Sequence, residues 1–315
     1  MINFCYKNIS RKQYFEDLDK LWQDHLNIKD KYSFISCFAG IGGSSLGYSA
    51  SGGKELLAIE HDEKSANVFK RNYPDVEVFN DDIKNFNPEL WMEENNIKPY
   101  DLDILDGSPP CQGFSMLGKK NPNDLRNKLI FEYARIVLAF MPKIFVMENV
   151  FGILLKKYDF LINDFKKRLD KSYNIEVFNL NLRHYGLPQD RKRVFFIGIR
   201  KDIEYKRSSL LPNRIYGASK IKDLFPYIDK ITAHDGFNPI QDNCTIVVAS
   251  GIYIKLIDGS IRQADQEEIK SIQSFPKEFD IKENEKRLLG NCVPPYFVWK
   301  LSNQLKKIIG GKLKR

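Results

Sequence analysis

Short apolar segments alternate with amphipathic segments over residues 33 to 105, and small or polar residues separate them. The segments YSFISCF, ELLAIE, VEVF and DLDIL are strand candidates. DEKSANVFKRNY has an acidic first turn and apolar residues at helical spacing, which predicts a helix. Strands that alternate with helices are typical of a parallel sheet covered by helices. We therefore predict an α/β fold, with the glycine-rich AGIGGSSLG as the turn between the first strand and its helix.

The same plan continues through the helix NKLIFEYARIVLAF, the strand KIFVMEN and the helix YDFLINDFKKRL. Two strands, YNIEVFNLNL and RVFFIGI, then follow without a helix between them, which predicts an antiparallel pair at one sheet edge. The pattern weakens from Lys201 onward, and helical spacing returns in PPYFVWKLSNQLKKII. We expect residues 33–200, completed by 286–315, to form a first domain and 201–285 a small loop-rich one. Residues 1–32 are predicted as an N-terminal helical extension with one apolar face, formed by Phe15, Leu18, Trp22 and Leu26.

The composition is that of a folded chain with a basic surplus. Of 315 residues, 43% are hydrophobic and 29% are charged, and 49 Lys plus Arg against 41 Asp plus Glu give a net charge of +8. That surplus favours a polyanionic partner such as nucleic acid. No apolar run approaches the roughly 20 residues that span a bilayer, so we expect a cytoplasmic protein with no membrane partner. Neither a disulfide framework nor a metal site is predicted, because the five cysteines are scattered and form no C-x-x-C: Cys5, Cys37, Cys111, Cys244 and Cys292.

The glycine turn predicts a site for a nucleotide-like ligand, because unpaired backbone N–H groups point out of the start of the next helix. It departs from G-x-G-x-x-G, since Ser45 stands at the third glycine position. Glu60, 20 positions after Gly40, ends the second strand where ribose hydroxyls would be held. Asp82 follows the third short strand and could bind an adenine amino group. The two acids favour an adenosyl ligand and leave NAD and S-adenosylmethionine open.

Cys111, in DGSPPCQGFS, distinguishes these two ligands. Nucleophilic catalysis needs a thiol at this strand end, whereas hydride transfer does not. The strand DLDIL, with its predicted end at Leu105, leads to the ligand-binding edge of the sheet. Pro109 and Pro110 restrict the backbone so that the thiol is held in position. A buried, inert cysteine is the alternative interpretation, and the polar flanking residues make it the weaker one.

Five segments, in this order, resemble the motifs of the DNA cytosine 5-methyltransferases: FAGIGGSSLG, SPPCQGFS, MENV, QDRKR and GNCVPP. The resemblance covers residues 33 to 200 and 262 to 304. It implies a Rossmann-like fold that depends on S-adenosylmethionine, with a mostly parallel sheet, an antiparallel edge hairpin and a small recognition domain. It also implies methyl transfer to carbon 5 of a cytosine flipped out of double-stranded DNA at a short specific site.

The resemblance implies roles for individual residues. Cys111 matches the nucleophile that adds to cytosine carbon 6, and Glu148 matches the carboxyl group that shares a proton with ring nitrogen 3. Arg191 would hydrogen-bond the cytosine carbonyl oxygen, with Arg193 in support. The substrate pocket would be shaped by Gln112, Ser115, Asn149 and Gln189. The cofactor would be bound by Phe38, Gly40, Gly42, Gly43, Glu60, His61, Asp82, Ile83, Pro110 and Asn291. The segment that stabilises the recognition region is matched by Arg262, Glu268 and the FP pair at 275–276.

Alternatives remain beside this interpretation. The tRNA-methylating branch of the same family shares the fold and the thiol chemistry, but this chain lacks the Cys-Phe-Thr segment of that branch. An inactive DNA-binding relative is disfavoured because the four catalytic residue types are intact. A nicotinamide-dependent oxidoreductase leaves PPCQ, ENV and QDRKR unexplained. We expect a monomer that binds double-stranded DNA, with a cognate restriction endonuclease as a candidate second partner.

Overall fold

Seven strands form one mixed sheet in the computed structural model, which describes residues 9–110, 125–215, 221–232 and 252–311. The strands are β1 Tyr32–Cys37, β2 Gly53–Ile59, β3 Glu77–Phe79, β4 Ile104–Gly107, β5 Ile144–Val150, β6 Tyr173–Asn181 and β7 Lys192–Arg200. Their order in space is β3-β2-β1-β4-β5-β7-β6. Strands β1 to β5 pair in parallel, and β7 is antiparallel to both of its neighbours. The carboxyl ends of β1, β2, β4 and β5 therefore lie at one edge of the sheet.

Side chains of the central strands enter two apolar cores, one on each face of the sheet. Phe34, Ile104 and Val146 enter the core that contains the helices α1 (Arg11–Leu26), α2 (Gly43–Ala50) and α9 (Pro295–Ile309). Their strand neighbours enter the core that contains the helices α4 (Pro88–Glu94), α5 (Leu129–Phe140) and α6 (Asp159–Leu169). Because both faces are covered, the strands read as continuous apolar runs in the sequence. The helices are α1 Arg11–Leu26, α2 Gly43–Ala50, α3 Glu63–Asn72, α4 Pro88–Glu94, α5 Leu129–Phe140, α6 Asp159–Leu169, α7 Ile221–Leu224, α8 Gln266–Ile272 and α9 Pro295–Ile309.

The predicted alternation of strands and helices is confirmed. The antiparallel pair at the sheet edge is confirmed as well, with β7 inserted between β5 and the edge strand β6. Strand β4 ends two residues later than predicted, at Gly107 rather than Leu105. The reason is that Asp106 and Gly107 continue the hydrogen-bonded ladder with β1 and β5. An acidic side chain is thereby part of a central strand.

A second, antiparallel sheet lies in the region that the sequence pattern left weak. It contains β8 Ile228–Thr232, β9 Tyr253–Leu256 and β10 Ile261–Gln263, in the order β10-β9-β8. Its Ile231 and Ile254 belong to the same apolar core as α1 and α9. The two sheets thus share a core, and the domain boundaries at 32, 200 and 285 stay predictions.

Helix α1 packs against α2 and α9, and its buried face differs from the predicted one. Leu18 is buried as expected, but Leu26 is 59% exposed and Phe15 and Trp22 are only partly buried. The helix is rotated so that Tyr14 faces the core, where its hydroxyl donates to the Ser271 carbonyl at 2.7 Å. The buried residues are Tyr14, Leu18, Leu21 and His25. Among the described residues, no helix has both the length and the apolar character needed to cross a membrane.

Candidate functional site

The glycine turn between β1 and α2 presents its backbone to open space. Phe38 and Gly40 have φ angles of 56° and 59°, in the left-handed region that reverses the chain here. A Cβ added to Gly40 would have no atom within 4 Å. The left-handed Phe38 costs roughly 1–3 kcal/mol, and strain of this kind concentrates at ligand sites. The turn is therefore a candidate ligand-binding element.

Glu60 fixes the turn from the end of β2. One carboxylate oxygen, Oε2, accepts the Gly40 N–H at 2.7 Å, and Oε1 accepts the Asp62 N–H at 2.7 Å. Burial raises the pKa of Glu60, and these two hydrogen bonds oppose that shift. The carboxylate is thus placed and oriented beside the turn, as its predicted role at a ribose requires.

A cavity opens beside the turn and continues to the segment before α9. Four predicted cofactor residues line it, namely Phe38, Gly40, Gly43 and Asn291. At Gly43 a Cβ would lie 2.6 Å from the Val293 carbonyl oxygen, so only glycine lets α2 approach this segment so closely. The other lining residues are Ala39, Ile41, Ser44, Ser65, Asp106, Ser108, Leu288, Cys292 and Val293.

The other six predicted cofactor residues do not line the cavity, and Glu60, described above, is one of them. Ile83 is buried in the core beside α4 and α5. Asp82 is half-buried, and its Oδ1 accepts the Lys84 N–H at 3.0 Å. The structure therefore gives Asp82 a local capping contact and Ile83 a packing contact. The other three are Gly42, His61 and Pro110.

Glu148 and Arg193 form a buried ion pair at the end of β5. Arg193 Nε lies 2.8 Å from Glu148 Oε1, and the two side chains are 10% and 11% exposed. The strand register brings the two side chains together. Val150 of β5 is opposite Arg193 of β7, and Glu148 lies two residues before Val150, on the same face of the sheet. A carboxylate is thereby held at the edge of the sheet where β4 also ends.

Asn149 joins β5 to the loop that carries the predicted nucleophile. Its side-chain Nδ2 donates to the Pro109 carbonyl at 3.1 Å, and Asn149 itself is buried. This contact holds the diproline segment against the end of β5. The predicted Cys111, Gln112 and Ser115 lie outside the described residues.

Arg191 and Gln189 are buried between β7 and the segments around α8 and α9. Arg191 Nη2 donates to the carbonyls of Cys292, at 2.6 Å, and Gly290, at 3.3 Å. Gln189 Nε2 donates to Ile272 O at 2.9 Å and to a neighbouring glutamine side chain. Arg191 thus holds the wall of the cavity that Asn291 and Cys292 line, whereas Gln189 holds the end of α8.

The predicted support of the recognition region also has a definite geometry. Arg262 forms two hydrogen bonds of 2.8 Å with the carboxylate of Glu268. These bonds link β10 to α8, and they lower the pKa of Glu268 against the opposing effect of its burial. Glu268 also accepts the Asp265 N–H in a capping box at the start of α8.

Asp106 is a site residue that sequence reasoning missed. It is 5% exposed and lines the cavity from the end of β4. Its Oδ1 accepts the Tyr48 hydroxyl at 3.0 Å. Burial raises the pKa of Asp106 to about 7. The available signal was an acidic residue directly after the apolar IL pair of a central strand.

Comparisons with known proteins identify the family of this chain and agree with its fold. The family model described as C-5 cytosine-specific DNA methylase matches residues 32–246. The chain belongs to this family. It is 38% identical over 187 residues to the type II methyltransferase M.DdeI of Desulfomicrobium norvegicum, a match that covers 57% of this chain and 43% of the relative. It is 35% identical over 210 residues to the type II methyltransferase M.NgoPII of Neisseria gonorrhoeae, covering 66% and 57%.

The chain thus spans about half the length of these curated relatives. A solved structure of a DNA modification methyltransferase encoded within an E. coli prophage superposes with a TM-score of 0.70 at 21% identity. The superposition covers 89% of this chain and 100% of the prophage protein's chain. At this identity the likeness bears on the fold, and it agrees with the predicted methyltransferase fold.

Proposed function

We propose that the protein is a DNA (cytosine-5-)-methyltransferase. It transfers a methyl group from S-adenosylmethionine to carbon 5 of a flipped cytosine in double-stranded DNA, through a covalent Cys111–cytosine intermediate. The observation that carries the proposal is the buried Glu148–Arg193 pair at the end of β5. The adjacent strand β4 leads, through the segment that Asn149 holds, to Cys111.

The residues in and beside the cavity at the glycine turn have the chemical groups that would bind S-adenosylmethionine. Glu60 would bind the ribose hydroxyls, since its carboxylate is already held at the turn by the Gly40 and Asp62 N–H groups. Phe38, Gly43 and Asn291 would line the rest of the site. When bound, S-adenosylmethionine supplies an electrophilic methyl group on a sulfonium sulfur.

Cytosine carbon 5 is a poor nucleophile, and Cys111 would change that. The thiolate forms a bond to carbon 6, while the displaced ring electrons move toward nitrogen 3 and carbon 5. Glu148 would stabilise this charge by sharing a proton with nitrogen 3, and Arg193 keeps its carboxyl group in place. After methyl transfer, loss of the carbon 5 proton to solvent and departure of the Cys111 thiolate restore the ring.

Arg191 would contact the cytosine carbonyl oxygen from a position that also reaches the cofactor wall. Its Nη2 already donates to the carbonyls of Gly290 and Cys292. We infer that Arg191 couples the base pocket to the cofactor cavity, while Gln189, Gln112 and Ser115 complete the base pocket.

The net charge of +8 fits a sequence-independent contact with the DNA backbone. A base must leave the duplex to reach a thiol and a carboxyl group in a pocket, at a cost of a few kcal/mol. We infer that residues 201–285 read the DNA sequence. We also infer that the protein is a cytoplasmic monomer, with a cognate restriction endonuclease as a candidate partner.

An adduct assay tests this function. Double-stranded DNA with 5-fluorocytosine at the target should form a covalent protein–DNA complex with wild type when S-adenosylmethionine is present. The fluorine cannot leave as the carbon 5 proton does, so the intermediate persists. A denaturing gel measures the complex. Cys111→Ser should form none, because a serine hydroxyl is a much weaker nucleophile than a thiolate.

The matched control is Cys37→Ser, which removes a buried thiol inside β1 and leaves Cys111 unchanged. This control should still form the adduct. An adduct of equal yield with Cys111→Ser, or none with wild type, would refute the proposed mechanism. A stronger adduct with structured RNA than with duplex DNA would favour the tRNA-methylating alternative.

A further inference from the structure

The cavity beside the glycine turn contains a single carboxyl group among its described lining residues. That group belongs to Asp106, and the other lining side chains are apolar, hydroxyl, amide or thiol groups. Asp106 is not part of the mechanism above, and it does not belong to the motif residues to which the sequence assigned a role. A lone acidic group in an otherwise uncharged cavity selects for a positively charged part of a ligand.

Hydrogen-bond donors hold Asp106 in place, and it forms no ion pair with the described residues. The Tyr48 hydroxyl donates to its Oδ1 at 3.0 Å, and the Ser44 side chain and the Gly107 N–H also hydrogen-bond to it. No lysine or arginine of the described chain lies within 4.0 Å of its carboxylate. Burial therefore raises the pKa of Asp106 to about 7, and the nearby charge of Glu148 acts in the same direction.

We propose that Asp106 binds the α-ammonium group of the amino-acid part of S-adenosylmethionine. The assignment rests on the proposed function, which supplies the ligand. Glu60 directly follows β2 and Asp106 is the next-to-last residue of β4, and β1 lies between these two strands. Strands lie about 4.8 Å apart, so the two acids stand roughly 10 Å apart across the sheet. A ligand with its ribose at Glu60 and its chain across the glycine turn brings its other end to Asp106.

The ammonium group suits Asp106 better than the sulfonium does. An ammonium has three N–H donors that a buried carboxylate can accept, whereas a sulfonium has none. Binding of the cation favours the ionised carboxylate and so lowers the pKa of Asp106 in the complex. Ligand binding at a pH below about 7 should therefore release a proton.

Other titratable groups face Asp106 from the elements packed around it. Glu55 is the one to separate from Asp106, because burial raises the pKa of Glu55 as well, to about 8. A variant that lacks only the Asp106 carboxylate is therefore needed to assign the proton. The facing groups are Tyr48 on α2, Cys37 and Tyr32 on β1, Glu55 on β2, Tyr133 on α5 and Glu148 on β5.

Calorimetric binding to the full chain tests the assignment without any turnover. The probes are S-adenosylhomocysteine, which carries the same ammonium group, and 5′-methylthioadenosine, which lacks the amino-acid part. Asp106→Asn should weaken S-adenosylhomocysteine about 10- to 100-fold, the range for a hydrogen bond to a charged group. It should change the affinity for 5′-methylthioadenosine less than about twofold.

Proton release gives a second measurement, made on the wild-type protein. Titrations at pH 6.5 in buffers of different ionisation enthalpy should show more than about half a proton released per S-adenosylhomocysteine. The release should be absent for 5′-methylthioadenosine and, where Asp106→Asn folds, in that variant. Wild type that binds S-adenosylhomocysteine no more tightly than 5′-methylthioadenosine would overturn the assignment by itself.

Tyr48→Phe distinguishes direct binding of the ligand by Asp106 from a purely structural role of Asp106. It removes the hydroxyl that donates to Asp106 and keeps the carboxylate, so it should retain proton release and lose little affinity for S-adenosylhomocysteine. An equal loss in Tyr48→Phe and Asp106→Asn, or equal losses for both ligands, would mean that Asp106 only supports α2. Wild type that binds neither ligand would overturn the proposed function and this assignment together.

Discussion

Glu148 and Arg193 depend on each other because both are buried. Neither charge is exposed enough for water to replace its partner, and removal of one partner leaves the other uncompensated. Arg193 therefore compensates the buried charge of Glu148, and in the proposed mechanism it also keeps the Glu148 carboxyl group beside nitrogen 3 of the cytosine. The sequence predicted these two residues through their motifs, but not that they touch each other.

Glu148→Gln is expected to reduce single-turnover methyl transfer by about 10²- to 10⁴-fold, the usual contribution of a general acid. Affinity for target DNA should stay nearly unchanged, because the carboxyl group acts on charge that develops only during addition. Rapid-quench kinetics and a gel-shift titration measure the two quantities. A near-normal rate would remove Glu148 from the chemistry.

Arg193→Met provides the matched comparison. Alone it should lower the free energy of unfolding by about 3–5 kcal/mol, because it leaves Glu148 buried and unpaired. Combined with Glu148→Gln it should recover much of that stability and none of the activity. Denaturant melts of the three variants test the expected coupling.

The spacing of apolar residues predicts that helix α1 forms, but it does not predict exactly which face of the helix is buried. Helical spacing predicted the helix and Leu18 on its buried face, but the exact rotation followed from partners distant in sequence, such as Ser271. His25 illustrates the same point. It is 8% exposed, and its Nδ1 lies 2.7 Å from Ser49 Oγ on α2, a contact that no local pattern reveals.

The pH dependence of stability should report the docking of α1. Burial lowers the pKa of His25 to about 4 from its ordinary 6.5, so the folded protein resists protonation that the unfolded chain accepts. The free energy of unfolding should therefore contain the full contribution of neutral His25 above pH 6.5. It should fall as the pH decreases from 6.5 toward 4, by roughly 3 kcal/mol in total. His25→Gln should flatten this dependence in urea melts between pH 7 and pH 4.5.

The control for this prediction is His184→Gln, which replaces an exposed histidine. This substitution should leave the slope of the unfolding free energy against pH as it is in wild type. An unchanged slope in His25→Gln, together with an altered one in His184→Gln, would contradict the assignment of the pH dependence to α1.

For the molecule as a whole, the order of strands and helices followed from the sequence because each apolar run and each turn is a local signal. The glycine turn and Glu60 were predicted for the same reason, and the motif arginines were predicted through the resemblance to the methyltransferase family. Asp106 and the contacts of Arg191 with Gly290 and Cys292 depend on strand register and on segments about 100 residues apart. Such contacts leave no periodic pattern, so only the structure reveals them.

The proposed function requires that the protein methylates cytosine at carbon 5 in duplex DNA. Bisulfite sequencing of plasmid DNA from cells that express the protein detects this product, with cells expressing Cys111→Ser as the matched control. We predict protected cytosines at every copy of one short sequence with wild type and none with Cys111→Ser. Complete conversion of cytosine with the well-expressed wild-type protein, or equal protection with Cys111→Ser, would refute the proposed function.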